Sequence, residues 1–382
     1  MSGEPLHIPV SEPRIGEAEI NAVNDALRSG WISSSGRHLD EFERGWATYC
    51  GRTNGIAVSS GTTALELAVE CLDLMPGDEV IIPTFTIISC ALAVVRAGAT
   101  PVLVDADPET WCMNADQVSA HITSRTRAIM PVHIYGHPCD MDPLLAAAEQ
   151  HDLTIIEDAA EAHGAQYLTA RGAAPTWKRC GSFGRASVFS FYANKVVTTG
   201  EGGMIVTDDV DLAERLRSAR NLAFCSDRRF HHTKLGHQYR LTNIQAALGL
   251  PQIARMDELL ARKRWIGNAY TERLHGLAML QLPVERPWAR NIYWMYGILL
   301  RDDARLDARE LSERLASRGI ETRPFFLGMH EQPALQSRGL FAGEHYPVAD
   351  RLARRGLYLP SGLSLTEIQL DRVADVLKET LS

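Results

Sequence analysis

Three short segments of this chain bring together residue types that can do chemistry. In SVFSFYANKVVTTGEGGMIVT, from Ser187, one lysine, Lys195, follows an aromatic strand-like run and precedes a glycine-rich turn and a second strand-like run. A lysine so framed has no evident packing purpose. Once desolvated it would have a lowered pKa and a free amine able to form an imine with an aldehyde cofactor. In TIIEDAAEAHGA, from Thr154, Glu157 and Asp158 stand at the carboxyl end of an apolar strand. A carboxylate there can bind a metal, act as a base, pair with a cationic ring nitrogen or cap the following segment, and the residues alone do not choose. In AVSSGTTALELAVECL, from Ala57, a strand meets a Ser-Gly-Thr-Thr turn and then a helical run. Ser60 and Gly61 shape that turn, and Thr62, Thr63 and the free N–H groups of the helix start can donate to a phosphate. Serine and threonine are also ordinary N-caps, and a loop lysine is more often surface charge. The weight therefore rests on three such clusters at strand ends.

The elements that must position these clusters alternate. From about residue 15 to 210, β-branched runs and helical patterns follow one another, the signature of a mostly parallel sheet between helices. The strands are expected at Gly55–Ser59, Glu79–Ile82, Thr100–Val104, Ala128–His133, Thr154–Glu157, Ala186–Ser190 and Gly203–Thr207. Ligands of such sheets sit outside the carboxyl ends of the strands, where the three clusters fall. Beyond residue 241 the pattern turns helical, with a kink expected near Pro251. The last hundred residues then read as strand (Trp294–Leu300), helix (Ala308–Arg318), an irregular stretch and helix (Leu365–Leu381). A large α/β domain over 1–248 and a smaller α+β domain over 249–382 are expected, with Leu168–Gly181 as a surface loop.

Bulk composition narrows the function. The 382 residues are 45% hydrophobic and 23% charged, ordinary for a folded globular protein. The 39 basic and 47 acidic residues give a net charge of -8 without a basic cluster, so neither nucleic acid nor a membrane surface is an expected partner. Seven cysteines with no CxxC pair argue against a disulfide framework and against zinc, and the chain is expected to be cytoplasmic. His133 and His137 lie on a strand and a turn, which does not stack them as metal ligands, so no metal is expected. Tyr293, Trp294 and Tyr296 read as core.

The clusters also carry a resemblance. WISSSG (Trp31–Gly36), SSGTTAL, PGDEVIIPTFT (Pro76–Thr86), PVLVDADPETW (Pro101–Trp111), HIYGHPCDMD (His133–Asp142), EDAAEAHGA, FSFYANK, TTGEGG and YRLTNIQAALG (Tyr239–Gly249) resemble the sugar aminotransferases of the aspartate-aminotransferase fold type. These enzymes act on nucleotide-linked ketosugars. The resemblance covers nearly the whole chain and implies a PLP-dependent transferase of fold type I, with a seven-stranded, mostly parallel sheet and pyridoxal 5'-phosphate as cofactor. It implies that Lys195 carries the cofactor as an imine and that Asp158 pairs with its pyridine nitrogen. Gly61, Thr62 and Ser190 would hold the phosphate, with Asn243 supplied by the neighbouring subunit of a homodimer with shared active sites, while Ser60 would also bind the cofactor and Glu161 would lie near the ring hydroxyl. Trp31, Ser33, Ser34, His330 and Arg229 would meet the substrate, with Arg228 and Lys234 beside Arg229 near its diphosphate.

HIYGHPCDMD, Glu161 and ETRPFF (Glu321–Phe326) are most similar to members that aminate C4 of a GDP-linked 4-keto-6-deoxymannose with glutamate as donor. A dTDP- or UDP-linked ketosugar is the alternative substrate, and a non-catalytic PLP- or nucleotide-sugar-binding regulator the alternative from another class. A dehydratase of the same fold would replace the lysine by histidine, against which Lys195 speaks. The sequence departs from the family where Ile87 stands in place of a ring-stacking aromatic, leaving Phe85 to contribute, in a longer loop over Arg171–Gly181, and in Arg185 where an Asp is common.

Overall fold

The computed structural model describes residues 7–225, 228 and 230–382. Nine strands form its first half: β1 (Asn54–Val58), β2 (Glu79–Pro83), β3 (Thr100–Val104), β4 (Thr126–Ile129), β5 (Thr154–Asp158), β6 (Gln166–Thr169), β7 (Thr176–Arg179), β8 (Ala186–Ser190) and β9 (Gly203–Thr207). Seven of these make one sheet in the order β1-β9-β8-β5-β4-β2-β3. The β3–β2, β2–β4, β4–β5 and β5–β8 pairs are parallel, whereas β9 runs antiparallel to both its neighbours. The parallel strands are buried on both faces, so Val80, Ile81 and Ile82 form a continuous apolar run in place of an alternation.

β1, β2, β5 and β8 point the same way, and their carboxyl ends open on one edge. The helix Gly61–Glu70 starts directly from the end of β1. Under the sheet, Trp46 of the helix Arg37–Cys50 packs edge-on against Phe189 and Phe191 of the β8 segment and against His163, which fixes the backbone that leads to Lys195.

The C-terminal part holds β10 (Leu280–Gln281), β11 (Ala289–Arg290), β12 (Tyr296–Leu300), β13 (Arg323–Pro324) and β14 (Gly356–Leu359). Four of them form an antiparallel sheet in the order β10-β12-β14-β13. The helices Met256–Leu274, Ala308–Ala316 and Glu367–Leu381 cover it and share a second apolar cluster that includes Tyr270, Tyr296, Leu311 and Val373. The expected seven-stranded sheet and smaller α+β unit are thus both present. No helix among the described residues is long and apolar enough to cross a membrane.

Three expectations change. The strand foreseen at Ala128–His133 ends at Ile129; beyond it only Val132 keeps a bridge, to Asp158. The stretch foreseen as a surface loop contains β7, paired with β6 in a hairpin that β11 completes as a three-stranded sheet. Alternation over only four residues gave too short a signal to read. The helical break falls at Arg255, because the helix Asn243–Ala254 accommodates Pro251 inside its last turn, and that helix runs without interruption through positions 248 and 249. The helix Pro347–Arg355 and β14, which the pattern does not predict, meet at Gly356, the C-cap of the one and the first residue of the other. Because Trp46 is fully buried against four rings, those of Tyr49, His163, Phe189 and Phe191, Trp46→Ala is expected to cost about 3–5 kcal/mol of unfolding free energy. A lowered urea midpoint at unchanged slope checks this.

Candidate active site

Successive residues of a strand face opposite sides, and this separates the two acids at the end of β5. Glu157 turns into the scaffold. It accepts hydrogen bonds from His133 Nε2 (2.8 Å), the Gly181 N–H (2.5 Å), the Phe183 N–H (3.0 Å) and the Ser187 hydroxyl (2.6 Å). Burial alone would raise its pKa, but the bonds from His133, Ser187 and Gly181 hold it below the usual value. His133 is spent there, since its Nδ1 accepts from the Cys139 N–H at 2.9 Å, while His137 Nδ1 lies 2.7 Å from the Pro138 carbonyl. Asp158 turns the other way, into a cleft of about 320 Å3. Its Oδ1 accepts from the Ala160 N–H (3.0 Å) and its Oδ2 from the Cys90 thiol (3.3 Å). Burial pushes its pKa up against those bonds and the charge of Lys195.

Lys195 enters the same cleft from the loop after β8, where its N–H closes a turn onto the Tyr192 carbonyl. Its side chain is 9% exposed, and its Nζ lies 3.8 Å from Glu161 Oε1 and 3.5 Å from the centroid of the Trp294 ring. Burial lowers the pKa of the amine, and Glu161 and Asp158 partly restore it. Glu161 accepts from the Tyr135 N–H at 2.9 Å, and burial lifts its pKa to about 7 against the pull of Lys195. Glu161 therefore gains or loses a proton near neutral pH, beside an amine that burial makes easier to deprotonate. His163, behind the lysine, is held neutral by burial, which takes its pKa to about 3.

The far end of the cleft is built for an anion. Ser60 caps the helix Gly61–Glu70 through its Oγ, which accepts from the Thr63 N–H, so the ordinary capping role and the site coincide. Gly61 is required by close approach: a Cβ there would lie 2.8 Å from Ser190 Cβ. Thr62 reaches Ser89 through its hydroxyl at 2.8 Å. Ser60, Gly61, Thr62 and Ser190 all line the cleft, beside helix-start N–H groups that have no partner within the helix.

Other expected residues fall elsewhere. Ile87 stands exposed on the rim, whereas Phe85 is fully buried among Tyr135, Phe325 and Phe326 and is not among the residues that line the cleft. His330 is buried too. Its two ring nitrogens contact Thr84 Oγ1 (3.0 Å) and Asp350 Oδ1 (2.8 Å). Asn243 is bonded to the Trp31 and Ser33 carbonyls and to the Leu39 N–H, on a second cleft of about 720 Å3 that Trp31 shares. Ser34 borders a small adjoining cavity with Arg217, Arg220 and Arg240. None of these lines the Lys195 cleft of its own chain. Arg228, Lys234, His231 and His232 are exposed, and Arg229 lies outside the described residues.

Sequence reasoning missed Asn194, Phe326, Tyr358 and above all Trp294, which is buried as foreseen yet faces the lysine. Trp294 and Lys195 are 99 positions apart, and no spacing signals such a pair. Asn194 Oδ1 is buried without a partner at the cleft wall.

A buried amine between two acids, opposite an anion cradle on this sheet, defines an aminotransferase with the fold of the type I PLP-dependent transferases. Residues 13–378 match the DegT/DnrJ/EryC1/StrS aminotransferase family, and the chain belongs to it. It is 43% identical to the GDP-perosamine synthase of Caulobacter vibrioides, with 98% of each chain covered. It is 39% identical to that of Escherichia coli O157:H7, over 98% of this chain and 99% of the other. Among solved structures, S. venezuelae DesV, crystallised in complex with a ketimine intermediate, superposes with a TM-score of 0.86 at 35% identity, over 97% and 99% of the two chains.

The two neighbouring acids should separate in experiment. Asp158→Asn leaves the scaffold intact and is expected to lower amino transfer by about 100-fold or more, whereas Glu157→Gln is expected to lower the melting temperature and leave most of the activity. Comparing kcat with Tm for both variants checks this. Glu161→Gln removes the negative neighbour of Lys195 and should lower the pH at which that amine becomes free, read by trace acetylation of Lys195 as a function of pH.

Proposed function

We propose that this chain carries pyridoxal 5'-phosphate and transfers an amino group from glutamate to C4 of GDP-linked 4-keto-6-deoxymannose, giving GDP-perosamine. The observation that carries this reading is 43% identity along almost the entire length of a GDP-perosamine synthase. The cleft is consistent with the cofactor. Asp158 is a buried carboxylate with no ion pair among the described residues, so a protonated ring nitrogen would complete it. The Gly61–Ser190 approach and the Gly61 and Thr62 N–H groups, which have no hydrogen-bond partner among the described residues, would suit its phosphate, and Asn194 Oδ1, likewise without one among them, leaves a further acceptor at the wall.

When bound, PLP supplies an aldehyde and an electron-accepting ring. The chain supplies the rest. Burial of Lys195 favours the neutral amine that acts as nucleophile, and when free its Nζ takes a proton from the donor carbon and later delivers one to the sugar carbon. Asp158 would pair with the ring nitrogen and favour its protonated form. Glu161 holds or releases a proton next to Nζ near neutral pH. Trp294, Phe326 and Tyr358 wall the cleft against water.

We further infer that the enzyme works in the cytoplasm as a homodimer in which Trp31, Ser33, Ser34 and Asn243 reach the partner's cofactor and substrate. This accounts for their gathering outside the Lys195 cleft. A dTDP- or UDP-linked ketosugar is the alternative substrate. A non-catalytic regulator is disfavoured, because neither Lys195 nor Asp158 is replaced. GDP-, dTDP- and UDP-linked 4-keto-6-deoxysugars, each incubated with glutamate and followed by product mass, test the assignment. The GDP-sugar is expected to gain the amino group, and amination of only a dTDP- or UDP-sugar would overturn the substrate. Ping-pong kinetics are expected with the productive pair.

A further inference from the structure

Lys263 is a second buried lysine, and the reaction as described does not use it. It lies in the middle of the helix Met256–Leu274, 3% exposed, with no ion pair among the described residues. Burial lowers its pKa to about 7. An unpaired ammonium is costly to bury, so the contacts it makes are informative. Its Nζ donates to two backbone carbonyls, those of Trp294 and Ser361, each at 2.5 Å. The Ser361 hydroxyl in turn accepts from the Tyr296 N–H at 2.9 Å. The start of β12 is therefore held from two sides.

Trp294 is the residue so held, and both features of its indole meet the Lys195 loop. The indole Nε1–H donates to the Asn194 carbonyl at 2.9 Å, the peptide oxygen directly before Lys195. The ring face lies 3.5 Å from Lys195 Nζ. The charged or titratable groups that also face this amine are Asp158, Glu161 and the neutral His163. An indole face attracts an ammonium, whereas an alkyl side chain in the same place would not.

We propose that Trp294 is a positioning residue for the Lys195 amine and that Lys263 is its anchor. The Nε1–H fixes the backbone from which the amine projects, the ring face aims the amine and favours its protonated form, and Lys263 keeps the indole in register. The inference rests on Lys195 being the cofactor-bearing amine.

The test measures Lys195 in the cofactor-free full chain. Trace acetic anhydride is applied across a pH series, and acetylation at position 195 is read by mass spectrometry for wild type, Trp294→Phe, Trp294→Leu, Lys263→Met and the Trp294→Leu/Lys263→Met double variant. Trp294→Leu is expected to lower the midpoint by about half a unit or more. Trp294→Phe, which keeps a ring face but loses the N–H, should fall between it and wild type. Lys263→Met should move the midpoint in the same direction, and the double variant should fall no further than Trp294→Leu alone, because both act through one contact. If Lys263→Met does not fold, Lys263→Gln, which keeps two N–H donors, replaces it in the single and double variants. An unchanged midpoint in Trp294→Leu, or a lysine variant that loses melting temperature with no change of midpoint, would overturn the proposal. Addition of pyridoxal phosphate to the wild-type chain serves as the separate control. Failure to develop an absorbance band near the visible edge counts against the proposed function, whereas a normal band with unmoved midpoints counts against the Trp294–Lys263 assignment alone.

Discussion

Taking an amine out of water beside two carboxylates is the constraint around which this molecule is arranged. Desolvation favours the neutral form of every member of the trio, while the attraction between them favours the charged forms. The balance leaves Lys195 easier to deprotonate than a free lysine and lifts Glu161 to about 7. An exposed lysine on the same loop would stay protonated and would not be a nucleophile. A deeper one without Glu161 and Asp158 would lose the charge that holds it in register. The 3.8 Å gap to Glu161 and the 3.5 Å approach to Trp294 are the geometric expression of that balance.

The scaffold serves this balance through elementary backbone rules. Parallel strands place their carboxyl ends on one edge, so β1, β2, β5 and β8 deliver an anion cradle, a rim, an acid and an amine to one place. The side-chain alternation of β5 sends Asp158 into the cleft and Glu157 into the scaffold, where four hydrogen bonds make it a structural acid. Gly61 lets two segments approach more closely than any side chain would permit. Reaction chemistry and fold stability thus draw on adjacent residues with little overlap.

What could be read in the sequence was local. Thr100–Val104, Ala186–Ser190 and Gly203–Thr207 have the bounds their patterns imply, because apolar five-residue runs between turn residues leave little choice. Lys195, Asp158, Glu161, Ser60, Gly61, Thr62 and Ser190 share one cleft because each sits at, or a few residues beyond, a strand end that the pattern marks. What could not be read depends on contacts between distant segments. Phe85 and His330 carry the residue types of ligand contacts, but tertiary packing buries them among Phe325 and Phe326 or between Thr84 and Asp350. Trp294 reads as core in any local window, and only the fold brings its indole over the amine and Lys263 against its carbonyl.

The central claim is that the amine at position 195 bonds covalently to the aldehyde of pyridoxal phosphate. Its most direct test is borohydride reduction of the wild-type protein loaded with that cofactor, followed by peptide mapping. The account predicts one stable phosphopyridoxyl adduct, on Lys195, which disappears in Lys195→Ala. A reduced protein with no adduct, or with the adduct on a surface lysine such as Lys234 while Lys195 stays unmodified, would contradict it.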